Sequence, residues 1–190
     1  MKRTQRNLVI YAASIAALFF SLRRLPDDVQ PWIGPTLLVL ALGLAIWARD
    51  FMVGRYAMRR RDWHRALEHF QRFEGTLRAG PWSAFRVAIF GGFYTFDGIA
   101  LTRNNIAVVH MNLGQLDEAE RWLQLALARD AHYALAYVNL GTLAAMRKNE
   151  AEARRNFDRA VQLGYSATGA QLLLRRILAR GNSAAGQLLQ

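Results

Sequence analysis

Four histidines, His64, His69, His110 and His132, are the side chains best suited to acid–base or metal chemistry. The chain has no cysteine, so a metal site would have to use these and carboxylates. None falls in an HExxH or other zinc-ligand spacing, and His64 and His69, five residues apart, share no helix face well. Glu118, Glu120, Glu150 and Glu152 lie within helical reach of Arg121, Arg154 and Arg155, which reads as solvated ion pairs rather than as catalytic carboxylates. No glycine-rich phosphate loop, nucleophile elbow or dinucleotide fingerprint is present. The expectation is a protein that is not an enzyme and holds no metal and no cofactor. The absence of cysteine leaves the redox compartment open.

Asn105 and Asn139 are 34 residues apart, and so are their surroundings. Shifted by 34, Ala107 becomes Gly141, Ala119 becomes Ala153, Leu123 becomes Phe157, Ala126 becomes Ala160 and Leu127 becomes Val161. Small residues fall on small and large on large, through two helices and a short turn. A fixed period of this length marks stacked helix pairs, in which small residues allow close crossing and large ones fill the groove between neighbours. One pair cannot bury its own face, so neighbours must stack.

These segments, NNIAVVHMNLGQLDEAERWLQLALARD and YVNLGTLAAMRKNEAEARRNFDRAVQLG, resemble the tetratricopeptide repeat family. They depart from it at Ala131 and Tyr165, where a proline is usual. Lys148 stands at the inter-helix glycine represented once by Gly114, and Arg103 and Tyr137 stand at the tryptophan-type position. A weaker third match covers 49–80, with Gly54, Ala66 and Phe70 at the positions of Ala107, Ala119 and Leu123. Gly164 can stop the last helix of the repeats, and Ser166 can cap a final helix over 167–179. The resemblance implies a concave face that binds a peptide or a partner helix. On this sequence that face comprises Asn104, Asn105, Val108, Met111 and Asn112, then Val138, Asn139, Thr142 and Met146. Asn105 and Asn139 could hold a ligand backbone, since an amide donates and accepts, or could be consensus residues only. Basic residues that clamp a C-terminal carboxylate in some members are missing from the matching positions, which predicts a neutral, partly apolar groove suited to a mixed or amphipathic segment.

The array needs something to hold it. Residues 8–22 and 32–47 carry no charge, and a nine-residue polar connection joins them. At 1.5 Å per residue each reaches about 22–24 Å, and snorkelling arginines with Trp32 and Trp47 at the interface extend that span. The expectation is a transmembrane helical hairpin over 1–48, with lipid contacted by residues 8–47. A buried soluble hairpin, a dip into one leaflet, or a signal peptide compete with it. The last is disfavoured by FFSLRRLP, which offers no small-residue cleavage site. Lys2, Arg3 and Arg6 precede the first run, and Arg49, Arg55, Arg59, Arg60 and Arg61 follow the second. This asymmetry puts the N-terminus and the repeats on the cytoplasmic side, with those five arginines at the membrane surface.

The 190 residues carry a net charge of +11 at a mean hydropathy of +0.01, with 53% hydrophobic residues. Residues 1–80 hold 13 basic and 6 acidic residues, so the basic excess gathers near the apolar runs. Of the basic residues only Lys2 and Lys148 are lysine, a hint of a GC-rich genome and a bacterial inner membrane. An Arg-rich peripheral nucleic-acid-binding helical protein is the alternative, but no recognition module accompanies the clusters at Arg59–Arg65 and Arg154–Arg176. Residues 81–99 are an aromatic-rich insertion with three open readings: packing on the repeats or lengthening the next helix, resting on the membrane, or binding a partner. The expected architecture is all-α: hairpin 1–48, degenerate helix pair 49–80, insertion 81–99, two repeats over 100–165, and a capping helix with tail over 166–190.

Overall fold

The structure is a computed structural model that describes residues 28–79 and 97–175, residue 95, and scattered positions between residues 9 and 26. Parts of the first apolar run, most of the insertion and the tail from 176 onward therefore lie outside the described residues, as does the packing of the expected hairpin. Among the described residues the fold is all-helical.

Helix α1, Gln30–Trp47, begins with Pro31 in its first turn, where a missing N–H costs nothing, and tolerates Pro35 one turn later. None of its residues is buried: Trp32 is 70% exposed, Val39 68% and Ile46 75%. Its 18 residues have a mean hydropathy of 1.4 and span about 27 Å. By length and composition it is the one described helix apolar enough to cross a membrane. Leaving such a face in water would be costly, and among the described residues little of the array covers it.

Helix α2, Arg49–Arg59, follows after a single residue. Ala48 is fully buried, donates to the Leu44 carbonyl at 2.9 Å and accepts from Met52 at 3.0 Å, so the hydrogen-bond ladder continues from stem to array. Three antiparallel pairs then stack: α2 with α3 (Trp63–Ala79), α4 (Gly98–Asn112) with α5 (Leu116–Arg129), and α6 (Ala134–Met146) with α7 (Glu150–Gln162). A further helix, α8, runs over 167–175, and Ser166 Oγ accepts from the Gly169 N–H at 3.1 Å as its cap.

The turns show the equivalence of the three pairs. Arg61, Gly114 and Lys148 all take a positive φ, at 59°, 76° and 61°. After each, the next N–H reaches back to close the first helix of the pair: Asp62 to Ala57, Gln115 to His110, Asn149 to Ala144, at 2.9–3.0 Å. This is the left-handed helix stop that glycine favours. Arg61 and Lys148 adopt it despite their Cβ, so the turn survives the loss of glycine that the sequence shows at 148.

Between paired helices the side-chain sizes compensate. A Cβ added to Gly54 would sit 2.9 Å from the Phe70 ring, and one on Gly141 would sit 3.1 Å from Phe157. Ala107 instead shares a core with Leu123. Glycine faces phenylalanine and alanine faces leucine, because the volume across each crossing is conserved.

Neighbouring pairs are joined by apolar clusters and by one well-buried ion pair. Arg103, at the position where an aromatic was expected, donates to Glu74 Oε1 from Nε and Nη2 at 3.0 and 2.8 Å. Its Nη1 donates to the Leu125 carbonyl at 3.1 Å.

The insertion ends earlier than its expected boundary at 99. Asp97 caps α4 by accepting from the Ala100 N–H at 2.9 Å, so Gly98 and the buried Ile99 already belong to the helix. Thr95 Oγ1 donates to Asp130 Oδ2 at 2.6 Å, and Arg129 donates to Asp97 Oδ2 at 2.9 Å. The chain is thus pinned at the α5–α6 corner before α4 starts.

Candidate functional site

The first helices of the three pairs, α2, α4 and α6, converge on one open cavity of about 360 Å³. Arg55, Met58 and Arg59 come from α2; Leu101, Asn104 and Asn105 from α4; Tyr133 and Leu135 from the start of α6. Arg55 and Arg59 stand one helical turn apart and therefore on one face. Leu101 and Leu135 occupy equivalent positions in successive pairs, so their side chains recur along the groove. The result is a pocket with a cationic wall, an amide centre and an apolar wall.

The expected groove residues divide. Asn105, Val108, Asn139 and Thr142 are half-buried, and Asn112 and Met146 are exposed, as a lining requires. Met111 and Val138 are buried in the core and correct the expectation, whereas Asn104, also buried, lines the cavity. Met111 belongs to the core between the second and third pairs, with Leu123 and Tyr133, and Val138 packs beside Phe157. Asn104 stands where the other pairs carry Phe51 and Val138, and its Oδ1 accepts from Asn139 Nδ2 at 2.8 Å. That bond satisfies the Oδ1 of a buried amide and fixes α4 against α6, using one of the two Asn139 amide donors. Thr142 and Asn112 likewise turn back to the Val138 and Val108 carbonyls, at 2.9 and 2.7 Å.

The groove is also not neutral. Arg55 and Arg59, expected at the membrane surface, line the pocket with Asn104 and Asn105. The signal lay in the sequence. Extending the groove positions to the first pair by the offset of 53 that relates Ala66 to Ala119 takes Val108 to Arg55 and Asn112 to Arg59. The other members of the expected membrane-surface set are spread out: Arg49 starts α2, and Arg60 and Arg61 lie in the turn about 15 Å further on. Arg60 donates to the Tyr56 hydroxyl at 3.1 Å. Trp32 is open on the stem, while Trp47 meets the edge of Phe73 at 5.3 Å.

Several of the residues first weighed for chemistry are paired within the array. Glu118 and Glu150 pair with Arg121 and Arg154, while Glu120 and Asp117 share Arg147 across the pairs. The Glu120 hydrogen bond, and the nearby charges of Glu120 and Asp117, hold the Arg147 guanidinium above its usual range. Glu152 accepts from Asn149 at the start of α7. His69 Nδ1 lies 2.8 Å from Asp50 Oδ1, and the ring Nδ1 of the buried His110 lies 2.6 Å from Gln115 Oε1. Among the described residues no His, Asp or Glu cluster could hold a metal ion. Tyr133 is fully buried, its hydroxyl has no partner among the described residues, and burial with the nearby Asp130 charge pushes it well above the usual phenol range.

No curated protein matches the chain. Residues 98–166, which contain the second and third helix pairs and the turn after them, match the family model of the tetratricopeptide repeat.

Proposed function

We propose that this chain is a membrane-anchored adaptor whose helical repeats hold a segment of a partner protein on their concave face, within a membrane-associated assembly. Tetratricopeptide repeats in general mediate protein–protein interaction. The reading rests above all on the cavity where α2, α4 and α6 meet, because polar and apolar groups converge there on one open site. The anchor rests on α1, which has no buried residue and is apolar over 18 residues. The basic flanks favour a cytoplasmic array on a bacterial inner membrane. A short helical tether of this kind would hold the groove near the bilayer and raise the effective concentration of membrane-bound partners.

A photo-crosslinking residue placed at Asn105 in the living cell is expected to capture one discrete partner, and the same residue at Gln124 on the opposite helix of the pair is not. Equal capture at both positions would remove the groove from the proposal. Carbonate washing should leave the chain in the membrane fraction, and release into solution would remove the anchor.

A further inference from the structure

The first helices of the second and third pairs each bury one face against the pair before them. In α4 that face is Ile99, Thr102, Ile106 and Val109; in and just before α6 it is Tyr133, Ala136, Leu140 and Leu143, and all eight are buried. The same positions of the first pair, 53 residues before those of the second, are Ile46, Arg49, Val53 and Tyr56. Here the face is open: Ile46 is 75% exposed and Tyr56 53%, Arg49 is exposed and Val53 half-buried. From this mismatch we infer that the face running from the stem into α2 docks a helix of another protein. That helix begins in the cytoplasm with carboxylates in its first turn and enters the bilayer beside α1. The inference rests on the anchor reading above and deepens it.

The third pair shows what such a helix must carry. Arg147, at the end of α6, is met by Asp117 and Glu120 at the start of α5, the second helix of the preceding pair. Its counterpart at the end of α2 is Arg60, which lies over the Tyr56 ring of its own helix, 5.4 Å from the centroid. A helix seated on α2 as α5 is seated on α6 runs antiparallel to it. Its first carboxylates, three residues apart, fall beside Arg60, and Arg49 is a second cation along its path. Its apolar side chains meet Tyr56, Val53 and Ile46, then Leu42 and Val39, which are exposed on the same face of the stem.

Other occupants match this face less well. Tyr56 lies nine residues past Trp47, about 13 Å, and the headgroup layer is about 5–8 Å deep, so lipid does not reach it. The chain's own first apolar run brings the wrong charge: Lys2, Arg3 and Arg6 precede it, and residues 1–26 hold no Asp or Glu. A second copy side by side in the same membrane would set Arg49 against Arg49 and Arg60 against Arg60. Stacked end to end, a second copy would present Ala151 and Arg154 of α7 where α5 presents Asp117 and Glu120.

The test places a benzophenone amino acid at position 56 of the full chain in the living cell, with position 124 as control. Cross-linked peptides are then sequenced by mass spectrometry. The expected product joins position 56 to a different protein, at the acidic cytoplasmic entry of a membrane-spanning helix. Arg60→Glu should lower its yield about fivefold or more, and Arg60→Lys should keep most of it. Tyr56 and Arg60 are exposed, and unchanged circular dichroism melting of the purified variants confirms that they fold. A cross-linked peptide from this same chain would put a second copy on the face and overturn the inference. So would a yield indifferent to Arg60→Glu, or a partner segment that is neutral or basic. No product above the control, from a chain that stays in carbonate-washed membranes, would overturn the inference and leave the anchor standing. Release of the chain by carbonate would overturn both.

Discussion

Phe70 and Phe73 occupy in the first helix pair the places of Leu123 and Ala126 in the second and of Phe157 and Ala160 in the third. At Phe70 the larger ring is accommodated by Gly54, just as Phe157 is by Gly141. At Phe73 there is no such compensation within the pair. The ring instead fills the junction with the stem, its centroid 5.3 Å from Trp47 and 5.4 Å from Phe51. The first pair is therefore a repeat along its crossing with α3 and an adapter where the stem enters. The difference teaches that the repeat is conserved as a volume and a turn, not as residue identities.

The sharpest way to break that comparison is at the crossing itself. Gly54→Ala should destabilise the array by about 2 kcal/mol, because the Phe70 ring must move or the helices must part. Adding Phe70→Leu should recover much of the loss by recreating the Ala107–Leu123 pairing of the second pair. Gly75→Ala, where an added Cβ meets nothing within 4 Å, should instead be neutral or stabilising by up to about 1 kcal/mol. Denaturant unfolding of the three variants decides the matter: equal shifts for Gly54→Ala and Gly75→Ala would show that the volumes are not coupled.

A smaller effect should appear at the turns, with opposite signs. Lys148→Gly and Arg61→Gly relieve a left-handed backbone and should each stabilise by about 1 kcal/mol, while Gly114→Ala should cost about the same. Destabilisation by all three in thermal melts would mean that the turns are not equivalent.

The smallest effect concerns a position that is Ile99 in the second pair and Tyr133 in the third. Since the Tyr133 hydroxyl is buried without a partner, Tyr133→Phe should cost nothing or gain up to about 1 kcal/mol. Burial, then the Asp130 charge, keeps this phenol protonated when folded beyond the pH at which the unfolded chain releases its proton. Above about pH 10 the folded state binds more protons than the unfolded one, so stability falls as pH rises. Melting at pH 8 and pH 10.5 should show a steeper alkaline loss in the wild type than in Tyr133→Phe. Identical slopes would place the ionisation elsewhere.

Much of the scaffold was legible in the residues themselves. The 34-residue recurrence, the small-on-small matches and the Ser166 cap are local or periodic features that survive without knowing what packs on what. Gly54, Ala66 and Phe70 likewise located the first pair, although Arg61 replaces glycine in its turn. The groove was only partly legible. Met111 and Val138 share their helices with half-buried groove residues, and a rotation of about 100° per residue separates wall from core. Which side of that divide each falls on depends on where the neighbouring pair sits, and a single helix does not encode this.

What the amino-acid sequence determined by itself was periodic: helix, turn, small crossing, large filler, and an apolar stem of membrane-like length. Those follow from backbone geometry and side-chain volume acting over a few residues. Only the tertiary structure decided that Asn139 bonds Asn104, that Met111 is core rather than groove, and that Arg103 meets Glu74. The physical reason is that each of these joins residues from successive helix pairs. Their proximity is set by the angle and offset of stacking, to which every buried side chain in the clusters between the pairs contributes.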